Sequence, residues 1–276
     1  MSSRGFVIYA EGSAYVRQAY LAALSLQASG NEYPVSLITS DSVSRKFRRV
    51  FDKIIKIPWY TKSEHSLCTD NRWKIYHATP YEHNIVLDSD VLVLENLDYF
   101  WEFVTNYDLY FPTTVFTYRK EQIVDNFYRK AFSANDLPNF YNCVHYFKKS
   151  DFAKEFYAWV ELVNNNWELF YGKFCSEHYP KQPSMDITTA IVSKILDCDS
   201  EISNASTELP QIVHMKSQVQ YWKNSTTRWQ DRVGVYLSED LQLKIGNHRQ
   251  DSIFHYTEND FCTDTMIGKF EKCLNL

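Results

Sequence analysis

The sequence predicts an α/β fold, a single domain whose first half is an open sheet of the nucleotide-binding type and whose second half is mixed. Three observations carry this. Short β-branched runs alternate with helix-periodic segments from Phe6 to about Tyr107. One run, Ile85-Val86-Leu87, is apolar at successive positions, as expected of a strand buried on both faces of a parallel sheet. Beyond Tyr107 short strands and helices mix, with no internal repeat and no long linker. Residues 1–235 are expected to form the main domain, with 236–276 a hairpin and helix packed on it.

Taken in order, Phe6 to Ala10 reads as a first strand and Glu11-Gly12-Ser13 as a turn, with Ser13 able to cap a helix. Tyr15, Val16, Ala19, Tyr20, Ala23 and Leu24 then recur at helical spacing up to about Gly30. Val35 to Thr39 is a second strand, Ser42 to Phe51 a helix and Lys53 to Ile57 a third strand. Trp73 to Thr79 is a short helix stopped before Pro80. Ile85 to Leu87 is the fourth strand and Leu97 to Tyr107 an aromatic-rich helix. This is a Rossmann-like βαβαβ half. In the second half, Leu109 to Phe111 and Cys143 to Phe147 read as strands, and Ser150 to Asn164 and Ser184 to Leu196 as helices. Gln211 to His214 is a short strand. Leu241 to Ile245 and Ser252 to His255 flank Gly246-Asn247 as a hairpin. A last helix runs from Asp260 to Leu274, with Thr257 or Asn259 near its cap.

Composition narrows the function. The chain is 45% hydrophobic and 23% charged, which is globular, and its net charge of -5 gives no general attraction to nucleic acid or anionic membranes. Its six cysteines include no C-x-x-C pair, so neither a zinc ribbon nor a redox motif is supported. No apolar run approaches the ~20 residues of a membrane span, and no signal peptide is visible, so a cytoplasmic location with free thiols is expected. Aromatic residues make up 16%, a supply of flat faces for sugar rings or nucleobases as well as for the core.

The chemistry concentrates at Asp88-Ser89-Asp90. Ligands of open α/β sheets bind outside the carboxyl ends of the strands, where these two carboxylates stand. Side by side they repel and are costly to desolvate unless a cation neutralises them. A hard divalent metal with oxygen ligands meets that need, and two solvated aspartates in a turn are the bland alternative. No G-x-G-x-x-G follows the first strand and no G-x-x-x-x-G-K-[ST] exists, so neither a dinucleotide fingerprint nor a P-loop is present. A calcium loop fails because Leu92 and Val93 occupy positions that need a ligand and a glycine.

The order Val7-Ile8-Tyr9-Ala10, Tyr15, then Val86-Leu87-Asp88-Ser89-Asp90 resembles the GT-A glycosyltransferases. It is most similar to the retaining branch that includes glycogenin and the bacterial lipopolysaccharide galactosyltransferases. Tyr141-Asn142-Cys143-Val144 resembles that branch's Asn-x-Gly segment, with Val144 in the glycine place. Ser184-Met185-Asp186-Ile187 resembles its Asp-Gln segment, with Ile187 where glutamine is usual. Ile212-Val213-His214-Met215-Lys216 resembles its late histidine segment, whose Lys-Pro-Trp is represented only by Lys216 and a later Tyr221-Trp222. The similarity spans roughly residues 5 to 225.

This resemblance implies a GT-A-like single domain with a Rossmann-like nucleotide-binding half and a mixed acceptor-side half. It implies a metal-dependent transferase moving a hexose from a nucleotide diphosphate sugar, a uridine one by expectation, to an acceptor hydroxyl on a glycan, lipid-linked carrier or protein. Asp88, Asp90 and His214 would hold Mn²⁺ or Mg²⁺, the imidazole nitrogen suiting Mn²⁺ better. Tyr9, Ala10 and Tyr15 would hold the base. Lys216 could reach the diphosphate, Ser89 would be among the donor-binding residues, and Asn142 would reach donor sugar hydroxyls. The family's basic donor contact falls on Lys74 or Arg72, with Lys74 preferred. Asp186 would stand beside the anomeric carbon. Retention of configuration is expected; an inverting reaction would instead need a general base, and Asp186 could serve. Two other readings remain at this stage. One is a non-catalytic nucleotide-sugar or carbohydrate-binding module. The other is a haloacid-dehalogenase-type phosphatase, against which the apolar Val91-Leu92-Val93 and the lack of a late Gly-Asp-x-x-x-Asp count.

Overall fold

The computed structural model describes residues 3–65, 67–123, 129–217 and 228–276; Tyr221-Trp222 lies outside them. Its first half contains β1 (Arg4–Tyr9), α1 (Ser13–Ala28), β2 (Val35–Ile38), β3 (Lys53–Ile55), α2 (Ile75–Ala78), β4 (His83–Leu87), β5 (Val91–Val93) and α3 (Asp98–Val104). The second half contains β6 (Leu109–Tyr110), α4 (Lys130–Ala134), β7 (Val144–Lys148), α5 (Asp151–Asn165), α6 (Trp167–Phe174), α7 (Met185–Leu196) and β8 (Ile212–His214). The chain ends with β9 (Val235–Leu237), β10 (Leu243–Ile245), β11 (His248–Gln250), β12 (Ile253–His255) and α8 (Asp264–Cys273).

The main sheet has the order β3-β2-β1-β4-β7-β6. β3, β2, β1 and β4 run parallel, and β7 is antiparallel to both β4 and β6. Phe6 and Ile8 of β1 and Ile85 and Leu87 of β4 join the core that contains α1; Val7, Tyr9 and Val86 join the core on the other face with α5 and α7. Burial on both faces is why these strands are continuous apolar runs rather than alternating ones. The chain leaves β1 toward β2 on one side and has β4 on the other, so a crevice opens at their carboxyl ends.

Two helix starts show how local chemistry sets the frame. Ser13 does not cap α1. The preceding Gly12 has a φ of 103°, a region that favours glycine, and its N–H donates to Asp41 Oδ2 at 2.6 Å. α5 is capped as its sequence suggests: Ser150 Oγ accepts from Ala153 N at 3.2 Å, worth about 1 kcal/mol.

Several expectations are corrected. Between Ser42 and Phe51 only a 3-10 turn forms, at Phe47–Val50; Arg45, Lys46, Arg48 and Arg49 leave too little apolar face to offset helix nucleation. Gly246-Asn247 does turn a hairpin, but the partner of Leu243–Ile245 is His248–Gln250. Ser252 to His255 instead supplies β12, which lies between β5 and β8 in a second sheet of order β5-β12-β8. The segment 236–276 is thus threaded into the fold rather than laid on it. The last helix starts at Asp264 and is capped by Thr263, whose Oγ1 accepts from Met266 N at 3.2 Å.

Candidate active site

A cavity of about 600 Å³ opens at the carboxyl ends of β1 and β4, within the range of ordinary small-molecule sites. Tyr9, Ala10 and Tyr15 form its β1 wall, and Asp88, Ser89 and Asp90 its floor. Asn142, Asp186, His214 and Lys216 also line it. Lys74 does not.

The two aspartates are held apart by different partners. β4 stops at Leu87, and the Asp88 N–H donates to Cys143 O at 2.8 Å, beside the start of β7. The Asp88 carboxylate pairs with Arg72. Asp90 Oδ2 lies 3.1 Å from His255 Nε2. Ser89 faces the other way, its Oγ 3.5 Å from Gln18 Oε1 of α1. Asp88, Asp90 and His255 have ligand atoms within 4.8 Å of one another. Burial and the neighbouring Asp90 push the Asp88 carboxyl up, with Arg72 opposing. Burial also acts against ionisation of Asp90, but His255 outweighs it and holds that carboxyl low. This is the split expected of two like charges sharing a site. Two carboxylate oxygens and one imidazole nitrogen are a donor set that suits a divalent ion of the Mn²⁺ or Mg²⁺ kind.

Strand register brings the histidine in. In the second sheet His255 is paired with Val91 on one side and with His214 on the other. His214 therefore lies one strand further from Asp90, its ring edge-on to His255 at 4.7 Å between centroids and to Tyr141 at 5.4 Å. Burial and the charge of His255 hold the His214 imidazole well below the usual histidine range, so it is neutral. His255, not His214, completes the cluster with the aspartates.

Asp186 is on the first turn of α7. Its Oδ1 accepts the Asn142 N–H at 2.9 Å, and its Oδ2 pairs with Arg129. Burial disfavours its charge, but Arg129 and the Asn142 amide outweigh burial and hold the carboxyl low. Arg129 also donates to Asn139 and Phe140, and its guanidinium lies over the rings of Phe132 and Tyr141 at 3.9 and 4.1 Å. The Asn142 side chain donates to Thr189 Oγ1 at 2.8 Å.

Lys74 is corrected. Its Nζ is spent on Trp59 O at 2.7 Å and Asn71 Oδ1 at 2.6 Å, away from the cavity. Arg72 takes the place by Asp88. Both residues lie on a 3-10 turn, Arg72–Lys74, and at three residues per turn positions two apart point in directions about 120° apart, so they face different surroundings. Sequence reasoning also missed His255, Arg129 and Glu11, and the cavity residues Thr257 and Asn259. Nothing in their local spacing marks these residues as neighbours of the aspartates; pairings between distant segments bring them together.

No protein-family profile matches the sequence, and no curated protein matches it. Among solved structures, the galactosyltransferase LgtC, in complex with donor and acceptor sugar analogs, superposes with a TM-score of 0.55 at 15% identity, covering 98% of this chain and 95% of that one. The chain has the GT-A glycosyltransferase fold. Mouse xyloside xylosyltransferase 1 in its apo form matches with a TM-score of 0.50 at 11% identity, over 94% of this chain and 99% of that one. The glycosyltransferase GlyE of Streptococcus pneumoniae TIGR4 matches at 17% identity and a TM-score of 0.47; the match covers 74% of this chain and 46% of that one, so the chain spans less than half of that protein. Among the described residues no helix is long and apolar enough to cross a membrane.

Proposed function

We propose that this GT-A chain is a metal-dependent glycosyltransferase that moves a hexose from a nucleotide diphosphate sugar, most simply a UDP-sugar, to an acceptor hydroxyl. The observation that carries it is the Asp88–Asp90–His255 cluster at the carboxyl end of β4, inside a cavity of about 600 Å³ in a glycosyltransferase fold. A departing diphosphate gathers negative charge that must be met by preorganised cations. Asp88, Asp90 and His255 would hold a divalent ion, which would supply the main countercharge when bound. Arg72 and Lys216 line the same cavity and add positive charge beside it. Tyr15 offers a face, and the β1 exit offers main-chain groups, to the base.

Retention of configuration fits the state of the carboxylates. Glu11 accepts from Tyr9, Tyr60, Ser63 and Asn71. Asp88 is paired with Arg72 and Asp90 with His255. Both oxygens of Asp186 are engaged and its carboxyl is held low, a poor proton acceptor. An inverting reaction needs a base with a free lone pair near the acceptor hydroxyl. Asp88 and Asp90 belong to the metal cluster and Glu11 and Asp186 have both oxygens engaged, so Asp186 is assigned to orienting the donor sugar rather than to proton abstraction.

The direct test is titration calorimetry of UDP with Mn²⁺ and again in chelator, followed by a transfer assay with UDP-hexoses. Tight binding that needs the metal, and turnover of one donor, support the reading. Undiminished UDP affinity in chelator removes the metal, and metal-dependent binding without turnover of any donor leaves a binding module.

A further inference from the structure

Glu11 follows β1, is 7% exposed and belongs to none of the family-like motifs. Its Oε2 accepts from Tyr9 Oη at 2.7 Å, Ser63 Oγ at 2.9 Å and Asn71 Nδ2 at 3.1 Å. Its Oε1 accepts from Ser63 N at 2.9 Å and Tyr60 Oη at 3.2 Å. Every lone pair is therefore taken, although the residue lines the donor cavity. A carboxylate so saturated has no capacity left for a ligand. What it does is gather a stretch of chain. Tyr60, Ser63 and Asn71 all come from the segment that leads from β3 to Arg72. Asn71 extends the network, donating to Thr61 O at 2.6 Å and accepting from Lys74 Nζ, which itself donates to Trp59 O. Leu67, Cys68 and Thr69 of this segment form a cavity wall, and the next residue after Asn71 is Arg72, paired with Asp88.

We infer that Glu11 is a positioning residue that acts through Arg72: it ties the 59–71 segment to the end of β1 and so sets the guanidinium where a diphosphate would lie. The inference rests on the donor-site reading above. Gln at position 11 is isosteric but cannot serve. Whichever way its amide is turned, its NH₂ meets an N–H donor, Ser63 N on one side or Asn71 Nδ2 on the other. Two donors facing each other push the segment off its anchor.

The test is a double-mutant cycle on UDP affinity with Mn²⁺ present, using Glu11→Gln, Arg72→Ala and the double variant, with hydrogen exchange of residues 59–71 measured alongside. Glu11→Gln is expected to weaken UDP binding on the order of tenfold and to speed exchange in the segment. In the Arg72→Ala background the same change is expected to have no further effect on UDP. Losses that simply add, or a folded Glu11→Gln protein with wild-type UDP affinity, overturn the inference. Tyr60→Phe removes one donor from a residue already 41% exposed, so it tests the same direction with a smaller shift if Glu11→Gln does not fold. If the wild-type protein binds no UDP, the donor-site reading fails, while exchange in the segment still reports whether Glu11 anchors it; unchanged exchange in a folded variant overturns the anchor.

Discussion

His255 Nε2 lies 3.1 Å from Asp90 Oδ2, although 165 residues separate them in the chain. The antiparallel pairing of β12 with β5 sets His255 opposite Val91, and the Tyr256 N–H donates to Asp90 O at 3.1 Å. Backbone register sets the two residues side by side, and their side chains close the contact. Burial disfavours the charged imidazole, but Asp90 outweighs it and holds the His255 pKa well above the usual histidine value.

His255→Ala is expected to lower Mn²⁺ affinity by at least about tenfold, because it removes the only nitrogen of the Asp88–Asp90–His255 cluster. Calorimetric titration of the metal into the two proteins measures this. Equal affinities would show that the cluster does not ligate.

Arg72→Met and Lys74→Met are expected to separate cleanly. Arg72→Met should weaken UDP binding by roughly tenfold, since Arg72 sits at the cavity with its charge directed to Asp88. Lys74→Met removes the donor to Trp59 O and orphans the buried Asn71 Oδ1, and should cost about 1–3 kcal/mol of stability. Denaturant melts and UDP titrations on both variants decide it; the reverse pattern would restore Lys74 as the donor contact.

Asp186→Asn keeps an acceptor for the Asn142 N–H but loses the ion pair with Arg129. Transfer should fall by about 10²–10³, the usual cost of removing one preorganised electrostatic partner, while metal-dependent UDP binding changes less than about threefold. A parallel loss of UDP affinity would place Asp186 on the nucleotide rather than on the sugar.

Glu95 follows β5, and burial pushes its carboxyl up to about 7, with a hydrogen bond to Tyr99 opposing. Its folded pKa exceeds the unfolded one, so its favourable contribution is complete below about pH 4.5 and is lost as pH rises through about 7. Glu95→Gln removes that dependence. The variant should gain roughly 1–2 kcal/mol on wild type between pH 5 and pH 8, after allowance for solvent screening. Paired thermal melts at those two pH values test it, and a constant difference would refute it.

Local patterning was enough for the parallel half of the fold. Apolar runs at Phe6–Tyr9, Val35–Ile38 and Ile85–Leu87 could be buried only between two layers, and the helical spacing of Val16, Ala19, Tyr20 and Ala23 supplied one of those layers. Asp88 and Asp90 were legible for the same reason, since a carboxylate pair ending such a strand has few places to go but the crevice. Where one residue type had two plausible neighbours, patterning failed. Arg72 and Lys74 carry the same charge two positions apart, and only the turn they occupy decides which faces the cavity.

The sequence by itself determined the α/β class and the strand that carries the two aspartates. Tertiary structure alone decided which histidine meets them, which cation pairs with Asp88, and that Arg129 and Glu11 belong to the site at all. These choices depend on pairings between segments distant in the chain, β12 with β5, α7 with the start of β7, and the 59–71 segment with β1. Periodicity records which face of an element is buried. It carries no information about which distant element does the burying, and the chemistry of this cavity is set by that second choice.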